Sequence, residues 1–277
     1  IINFSHDISY LENGVAINSG TPEGAAANPD YVLTPYHGRS SDSYDGGEGY
    51  DTINLSDLDD AIHIEPREIS NPYTQSGPVI KNIEQINAGA GNDVVDLTSN
   101  KHIIGDIKIN GGAGDDVLWS NIGDDIIAGE DGDDNINGLS GNDILDGGDG
   151  NDRIFGDQGD DQLLGQRGND ILNGGLGADI ITTGLGEDAI DFNSIFESTA
   201  TNRDIITDFT KGQDSLDFED LVDYGIVDIS DLNITHQGGN TIISTTANNN
   251  FEIELQGTHN LDKDDFKFKE EPVYEFF

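Results

Sequence analysis

Nine aspartates recur at intervals of nine residues in the middle of the chain, and this spacing is the first sign of chemistry. They are Asp116, Asp125, Asp134, Asp143, Asp152, Asp161, Asp170, Asp179 and Asp188. Carboxylates repeated at a fixed interval form a column when every interval folds into the same structural unit. Two like charges about 4 Å apart repel by roughly 4 kcal/mol at an effective dielectric constant near 20. We therefore expect a cation between stacked aspartates.

Calcium is the cation that best fits these ligands. It accepts about six to eight oxygen atoms in a loose geometry, from carboxylates and from backbone carbonyls. Magnesium requires a tight octahedron, and zinc prefers nitrogen or sulfur. The repeat tract contains no cysteine and no histidine. The sequence therefore predicts several Ca²⁺ ions as the cofactor.

Each of these aspartates is the sixth residue of a nonapeptide G-G-x-G-x-D-x-U-x, where U is leucine or isoleucine, between Gly111 and Asp191. Glycine at position four permits a tight turn. The aliphatic residue at position eight alternates with mixed residues at position seven, which indicates a short strand with one buried face. Two such units would complete one coil, so residues eighteen positions apart should stack. We expect Asp116 to lie against Asp134, and Asp125 against Asp143.

The predicted fold class is all-β: a right-handed parallel β-roll with a C-terminal antiparallel β cap. Two looser copies of the motif, GGEGYDTIN and AGAGNDVVD, add Asp51 and Asp93 as candidate metal ligands. After Asp191 the glycine turns stop, and a solenoid needs a cap over its last coil. We divide the chain into an irregular lead-in or end of a preceding domain (1–45), an irregular early β-roll (46–110), the nonapeptide β-roll (111–191), the cap (192–260) and a secretion-signal tail (261–277).

Folding of the nonapeptide tract should depend on the metal. Ordering nine residues costs roughly 13 kcal/mol at about 1.5 kcal/mol per residue, whereas burying one leucine or isoleucine returns about 1.5 to 3 kcal/mol. The formal net charge is -43, and the tract between Gly111 and Asp191 holds twenty acidic residues against two basic ones. Such a chain repels itself. We expect the roll to be unfolded without calcium.

Charge and motifs exclude several classes of function. The negative charge is the wrong sign for nucleic acid or for an anionic membrane surface. No stretch approaches the length of apolar sequence that spans a membrane. The chain has no H-E-x-x-H and no G-x-S-x-G, and its acidic runs lack the glycine and glutamate of an EF-hand loop. We expect a monomeric, non-catalytic module without a nucleic-acid partner or a transmembrane segment.

Three features together resemble the C-terminal region of RTX (repeats-in-toxin) proteins, including RTX adhesins and the serralysin C-terminal β-roll. They are the nonapeptide tract, the sequence D-I-I-T-D-F-x-x-G-x-D-x-L-D-F at Asp204 to Phe218, and the acidic, aromatic tail that ends with Phe276 and Phe277. The resemblance covers about residues 46–277. It implies export of the unfolded chain from a Gram-negative bacterium by a type I secretion apparatus, followed by folding in extracellular calcium.

Three roles are compatible with this resemblance. The chain could be a module of a larger secreted or surface protein, for which we expect an adhesin. It could instead be the C-terminal β-roll of a secreted protease, lipase or polysaccharide-modifying enzyme whose catalytic domain lies upstream. The third role is a small, freestanding secreted calcium-binding protein. The first residue is Ile1 and not methionine, which favours a fragment and hence one of the first two roles.

Overall fold

The computed structural model describes residues 50–55, 59, 61–63, 80–98, 104–247 and 250–269, together with the backbone of three short strands nearer the N-terminus. Most of the predicted lead-in, the glycines that open the first loose motif copy, and the end of the tail with Phe276 and Phe277 lie outside the described residues. The strands are, in chain order, β1 (Val15–Gly20), β2 (Val32–Leu33), β3 (Tyr44–Asp45), β4 (Tyr50–Asn54), β5 (Ala61–His63), β6 (Ile80–Lys81), β7 (Gln85–Ala90), β8 (Val94–Asp96), β9 (Lys108–Ala113), β10 (Val117–Trp119), β11 (Ile126–Asp131), β12 (Asn135–Asn137), β13 (Ile144–Asp149), β14 (Arg153–Phe155), β15 (Gln162–Arg167), β16 (Ile171–Asn173), β17 (Ile180–Thr182), β18 (Ala189–Asp191), β19 (Asp204–Ile206), β20 (Ser215–Asp217), β21 (Leu232–Gln237), β22 (Asn240–Thr245), β23 (Glu252–Leu255) and β24 (Phe266–Lys267).

Two long sheets are built from alternate repeat units. The larger sheet has thirteen strands in the order β2-β1-β4-β7-β9-β11-β13-β15-β17-β19-β23-β22-β21, and the smaller has nine in the order β24-β20-β18-β16-β14-β12-β10-β8-β5. Within the repeats every pairing is parallel and shifted by eighteen residues, as in Val117 with Asn135 and Ile126 with Ile144. The β3 and β6 strands form a separate parallel pair. The predicted parallel β-roll with two units per coil is confirmed.

The core of the roll is a ladder of aliphatic side chains at position eight of each unit. All nine side chains are completely buried, and they belong to one hydrophobic cluster that draws on both sheets: Leu118, Ile127, Ile136, Leu145, Ile154, Leu163, Leu172, Ile181 and Ile190. The ladder continues downward through Ile109, Ile86 and Ile53 and upward through Ile206 and Leu216. Since each unit buries only one large side chain, every coil depends on its neighbours for its apolar contacts.

The parallel stacking extends beyond the last nonapeptide. Strand β19 pairs with β17 and β20 pairs with β18, both in parallel. The antiparallel strands β21, β22 and β23 then close the larger sheet, with β23 parallel to β19. The predicted antiparallel cap is therefore present, but it is preceded by two more strands of the parallel ladder.

An aromatic cluster in the cap closes the open end of the core. Phe192, Phe218 and Phe251 are at most 2% exposed. Their rings meet edge to face with centroid distances of 5.6 to 5.7 Å, a geometry that stabilises aromatic pairs. Phe266 and Phe268 continue the cluster. None of the helices in the described residues is long and apolar enough to cross a membrane.

Candidate metal centre

The position-six aspartates form two columns, one along each edge of the roll. In the first column each aspartate directly precedes a strand of the larger sheet, and in the second column a strand of the smaller sheet. The first column contains Asp125, Asp143, Asp161 and Asp179, and the second contains Asp93, Asp116, Asp134, Asp152, Asp170 and Asp188. Asp51 lies at the lower end of the first column, where its N–H donates to Glu84 Oε2 at 2.6 Å. All eleven predicted site residues are at most 2% exposed.

In eight of the column residues, one carboxylate oxygen has a partner in the neighbouring coil. The Oδ1 atom accepts a hydrogen bond from the backbone N–H of the aspartate one coil earlier, as when Asp143 N–H donates to Asp161 Oδ1 at 2.8 Å. Eight such bonds, from Asp93 N–H to Asp188 Oδ1, measure 2.7 to 2.9 Å. The columns are thus held together by alternating backbone and carboxylate groups, without direct contact between carboxylates.

The second carboxylate oxygen is the unusual atom of the site. The Oδ2 atom is buried without a hydrogen-bond partner in Asp116, Asp134, Asp143, Asp152, Asp161, Asp170, Asp179 and Asp188. An ionised carboxylate buried in this way is strongly destabilising unless a cation or a donor compensates it. Eight repetitions of the same unsatisfied atom indicate a ligand that the protein is built to receive.

A backbone carbonyl oxygen lies beside the orphaned carboxylate oxygen in four units, those that begin with Gly111, Gly129, Gly156 and Gly165. An ideal Cβ placed on Gly129 would lie 2.1 Å from Asp134 Oδ2 and 2.5 Å from the Gly147 carbonyl oxygen. On Gly156 it would lie 2.3 Å from Asp161 Oδ2 and 2.4 Å from the Gly174 carbonyl oxygen. Neither glycine has a positive φ, so position one is glycine because a side chain would fill the space between two oxygens. We define a cradle as this space between the Oδ2 atom of one unit and the position-one carbonyl of the next coil.

The donor set of the cradle suits calcium. It consists of oxygen atoms only, from a carboxylate and from backbone carbonyls, which is the mixture that Ca²⁺ accepts. Among the described residues no three acidic or histidine side chains form a metal cluster. A site must therefore combine side-chain oxygens with backbone oxygens, which disfavours zinc. When bound, the ion would neutralise the buried carboxylates and join successive coils.

The burial of these carboxylates changes their acidity. Burial, followed in some cases by the charges of neighbouring aspartates, raises the pKa of Asp152 to about 6, of Asp134 to about 7 and of Asp143 to about 8. Desolvation disfavours the charged form of an acid. Without a cation, the folded roll therefore favours protonated carboxyl groups.

We predict that acidification restores structure to the metal-free protein. An unfolded aspartate has a pKa near 3.9, so between about pH 4 and pH 8 the folded metal-free state binds more protons than the unfolded state. Its stability therefore increases as the pH falls through the raised pKa values of Asp143 and Asp134. Far-UV circular dichroism of metal-free protein from pH 8 to pH 4 should show a gain of strand signal. Calcium binding should weaken over the same range, because it needs ionised carboxylates; a metal-free protein without any gain would contradict the burial argument.

Two aspartates that the repeat pattern did not identify continue the columns. Asp204 follows Asp179 in the first column, since Asp179 N–H donates to Asp204 Oδ1 at 3.0 Å. Asp214 follows Asp188 in the second column, where the corresponding distance is 3.4 Å. Asp204 Oδ2 is also buried without a partner, and burial together with the charge of Asp179 raises its pKa to about 9. The signal was the triplet D-x-U, present in both DII and DSL although the glycines are missing.

A second, exposed ladder runs along position five, which is aspartate or asparagine in seven of the nine units. These hydrogen bonds run in the opposite direction to those of position six, from an N–H of the later coil to a side chain of the earlier one. Asn151 N–H donates to Asp133 Oδ1 at 2.7 Å, and Ala178 N–H donates to Asp160 Oδ1 at 3.0 Å. An asparagine oxygen serves as well, because Asn142 Oδ1 accepts from Asp160 N–H at 2.8 Å. Where position five is aspartate or asparagine it supplies an acceptor oxygen without needing a charge, whereas position six is aspartate in every unit.

Parallel coils with buried carboxylate columns at both edges define this structure as a parallel β-roll of nonapeptide repeats. Residues 83–99, 108–136, 128–163 and 155–190 match four copies of the family model of the RTX calcium-binding nonapeptide repeat. The chain thus carries an RTX calcium-binding repeat region, which confirms the predicted resemblance. No curated protein sequence matches the chain significantly.

Several solved structures resemble parts of the chain. The AlgE6R2 subunit of the Azotobacter vinelandii mannuronan C5-epimerase is 28% identical, with a TM-score of 0.33, and the match covers 51% of this chain and 91% of that one. The AlgE6R3 subunit of the same enzyme is 19% identical over 73% of this chain and 84% of its own, with a TM-score of 0.27. The extracellular lipase LipA from Serratia marcescens is 16% identical over 67% of this chain and 41% of the lipase, with a TM-score of 0.24. The family assignment rests on the repeats and not on these similarities.

Proposed function

We propose that this chain is a calcium-binding module that folds on meeting extracellular calcium. The observation that carries the proposal is the row of eight buried Oδ2 atoms without a protein partner. The ligands we assign are the eight position-six aspartates that have this orphaned Oδ2, with Asp51 and Asp93 at the lower ends of the columns, and Asp204 as an addition. The role of calcium is structural, since the cations bind along the edges of a solenoid whose single coils are not stable by themselves.

The biological setting follows from the dependence on calcium. RTX repeats are typical of proteins that Gram-negative bacteria secrete. A chain that stays unfolded where calcium is scarce remains suitable for a type I secretion apparatus, and it folds outside the cell. We propose that the module supports the export and the extracellular stability of a larger secreted protein, an adhesin. Immunoglobulin-like tandem domains in the parent protein would support this role, whereas an upstream catalytic domain would make the module the β-roll of a secreted enzyme.

The Asp161→Asn substitution tests the proposed ligands. The asparagine oxygen can still accept the hydrogen bond from Asp143 N–H, but an amide nitrogen replaces the orphaned Oδ2. Losing one charged ligand should weaken the free energy of calcium binding by about 1.5 to 3 kcal/mol. This corresponds to a rise of roughly tenfold or more in the dissociation constant of that site. Calorimetric titration with calcium should detect the loss, and the circular dichroism spectrum of the metal-free protein should be unchanged, since that form is expected to be unfolded with or without the substitution.

Asp160→Asn is the matched control for this experiment. Asp160 is the exposed neighbour of Asp161, and an asparagine at this position retains the acceptor for Ala178 N–H. Calcium binding should be close to that of the unmodified protein. Equal losses in the two variants would show that overall charge, and not the buried oxygen, controls calcium binding.

A further inference from the structure

Unit two, which begins at Ser120, departs from the other repeats. It reads SNIGDDIIA, so a serine stands at position one, where seven of the nine units have glycine. Its aspartate, Asp125, is the only one of the nine repeat aspartates whose Oδ2 is not left without a partner. The two differences occur in the same unit, and the contacts of Ser120 connect them.

The Ser120 hydroxyl lies where the cradle is open in other units. It donates its single proton to the Gly138 carbonyl oxygen at 2.6 Å. Gly138 opens the unit one coil above, so its carbonyl corresponds to that of Gly147 over Asp134. The side chain of Ser120 therefore lies in the space where the ideal Cβ positions of Gly129 and Gly156 meet a carboxylate oxygen and a carbonyl oxygen.

Two backbone N–H groups donate hydrogen bonds to the Asp125 carboxylate. Asn121 N–H donates to Asp125 Oδ2 at 3.4 Å, and Ile107 N–H donates to Asp125 Oδ1 at 2.8 Å. Both carboxylate oxygens thus have donors, and Ser120 itself is completely buried. Neutral donors replace the cation that the other cradles call for.

We propose that Ser120 closes one cradle of the first column, so that the coil of Asp125 is held together by a hydroxyl group and binds no calcium. This inference rests on the proposed function, because it assumes that the open cradles take calcium. In this unit the residue at position one decides the outcome: the glycine of other units leaves room for the ion, and Ser120 takes its place. The lower part of the folded nonapeptide tract then contains one coil contact that is made without a bound ion.

A reciprocal exchange of glycine and serine tests the proposal. In the full chain, Ser120→Gly should open the cradle and add one bound calcium ion, measured by equilibrium dialysis at saturating calcium. Gly138→Ser should close the cradle of Asp143 and remove one ion, since a Cβ at Gly138 would lie 2.3 Å from Asp143 Oδ2, while the φ of Gly138, which is not positive, suits a serine. Ser140→Gly, the same exchange two residues beyond Gly138, is the control and should leave the number of ions unchanged.

The outcomes separate this inference from the proposed function. If the unmodified protein binds no calcium, the proposed function itself is wrong. If it binds calcium and Ser120→Gly binds the same number of ions, the closure by Ser120 is wrong and the proposed function stands. Should Gly138→Ser fail to fold, the gain of one ion in Ser120→Gly still decides the question, with circular dichroism at saturating calcium as the check of folding.

Discussion

Chelation of calcium at neutral pH is expected to convert the strand spectrum of the protein into that of an unfolded chain. The cause is electrostatic: the chain has a formal net charge of -43, and eight repeat aspartates each bury an oxygen without a partner. One aliphatic side chain per unit does not offset the conformational entropy of nine ordered residues. The coils are coupled through the same cradles, so the change should be cooperative.

A far-UV circular dichroism titration measures this effect. It would run from chelator to about 10 mM calcium, a range that spans the affinities of extracellular calcium modules. Magnesium at the same concentrations is the control, because it requires a tighter octahedral shell than these mixed oxygen ligands provide. A full strand spectrum in chelator would mean that the aliphatic ladder and the aromatic cap suffice for folding, and that calcium adds only stability.

The second large effect is expected from Gly150→Ala, even at saturating calcium. Gly150 occupies position four with φ +151°, and a Cβ there would lie 1.9 Å from the Gly132 carbonyl oxygen of the coil below. Such a contact forces the two coils apart, and an L-residue with this φ is itself strained by about 1 to 3 kcal/mol. We expect a total destabilisation of more than about 4 kcal/mol, which belongs to the exceptional class of single substitutions.

Gly212→Ala is the matched control. Gly212 also has a positive φ, +79°, but no atom lies within 4 Å of its ideal Cβ position. The substitution should therefore cost only the left-handed conformation, about 1 to 2 kcal/mol. Urea denaturation of both variants at the same calcium concentration gives the difference. Similar losses would show that backbone strain, and not the close approach of coils, explains the position-four glycines.

The sequence was sufficient to predict the structure of the repeat tract, because each unit contains the residues that determine its own turn and strand. Glycine at position four, aspartate at six and an aliphatic residue at eight recur with a fixed period, so turn, ligand and buried strand residue follow from one another. A register shift of a single residue would expose Leu145 or Ile154, which are completely buried. The stacking of Asp125 with Asp143 could be predicted from that period alone.

The tertiary structure decided what lies outside the period. Asp204 and Asp214 join the columns twenty-five and twenty-six residues after Asp179 and Asp188, a spacing that the regular repeat does not contain. The role of Ser120 likewise depends on the carbonyl of Gly138, which approaches it only when the coils stack. The sequence by itself determined the repeating coil and the aspartates along it, because that information is local and periodic. Only the tertiary structure decided which carboxylate oxygens have a partner, because the N–H groups that bond the Oδ1 atoms belong to neighbouring coils.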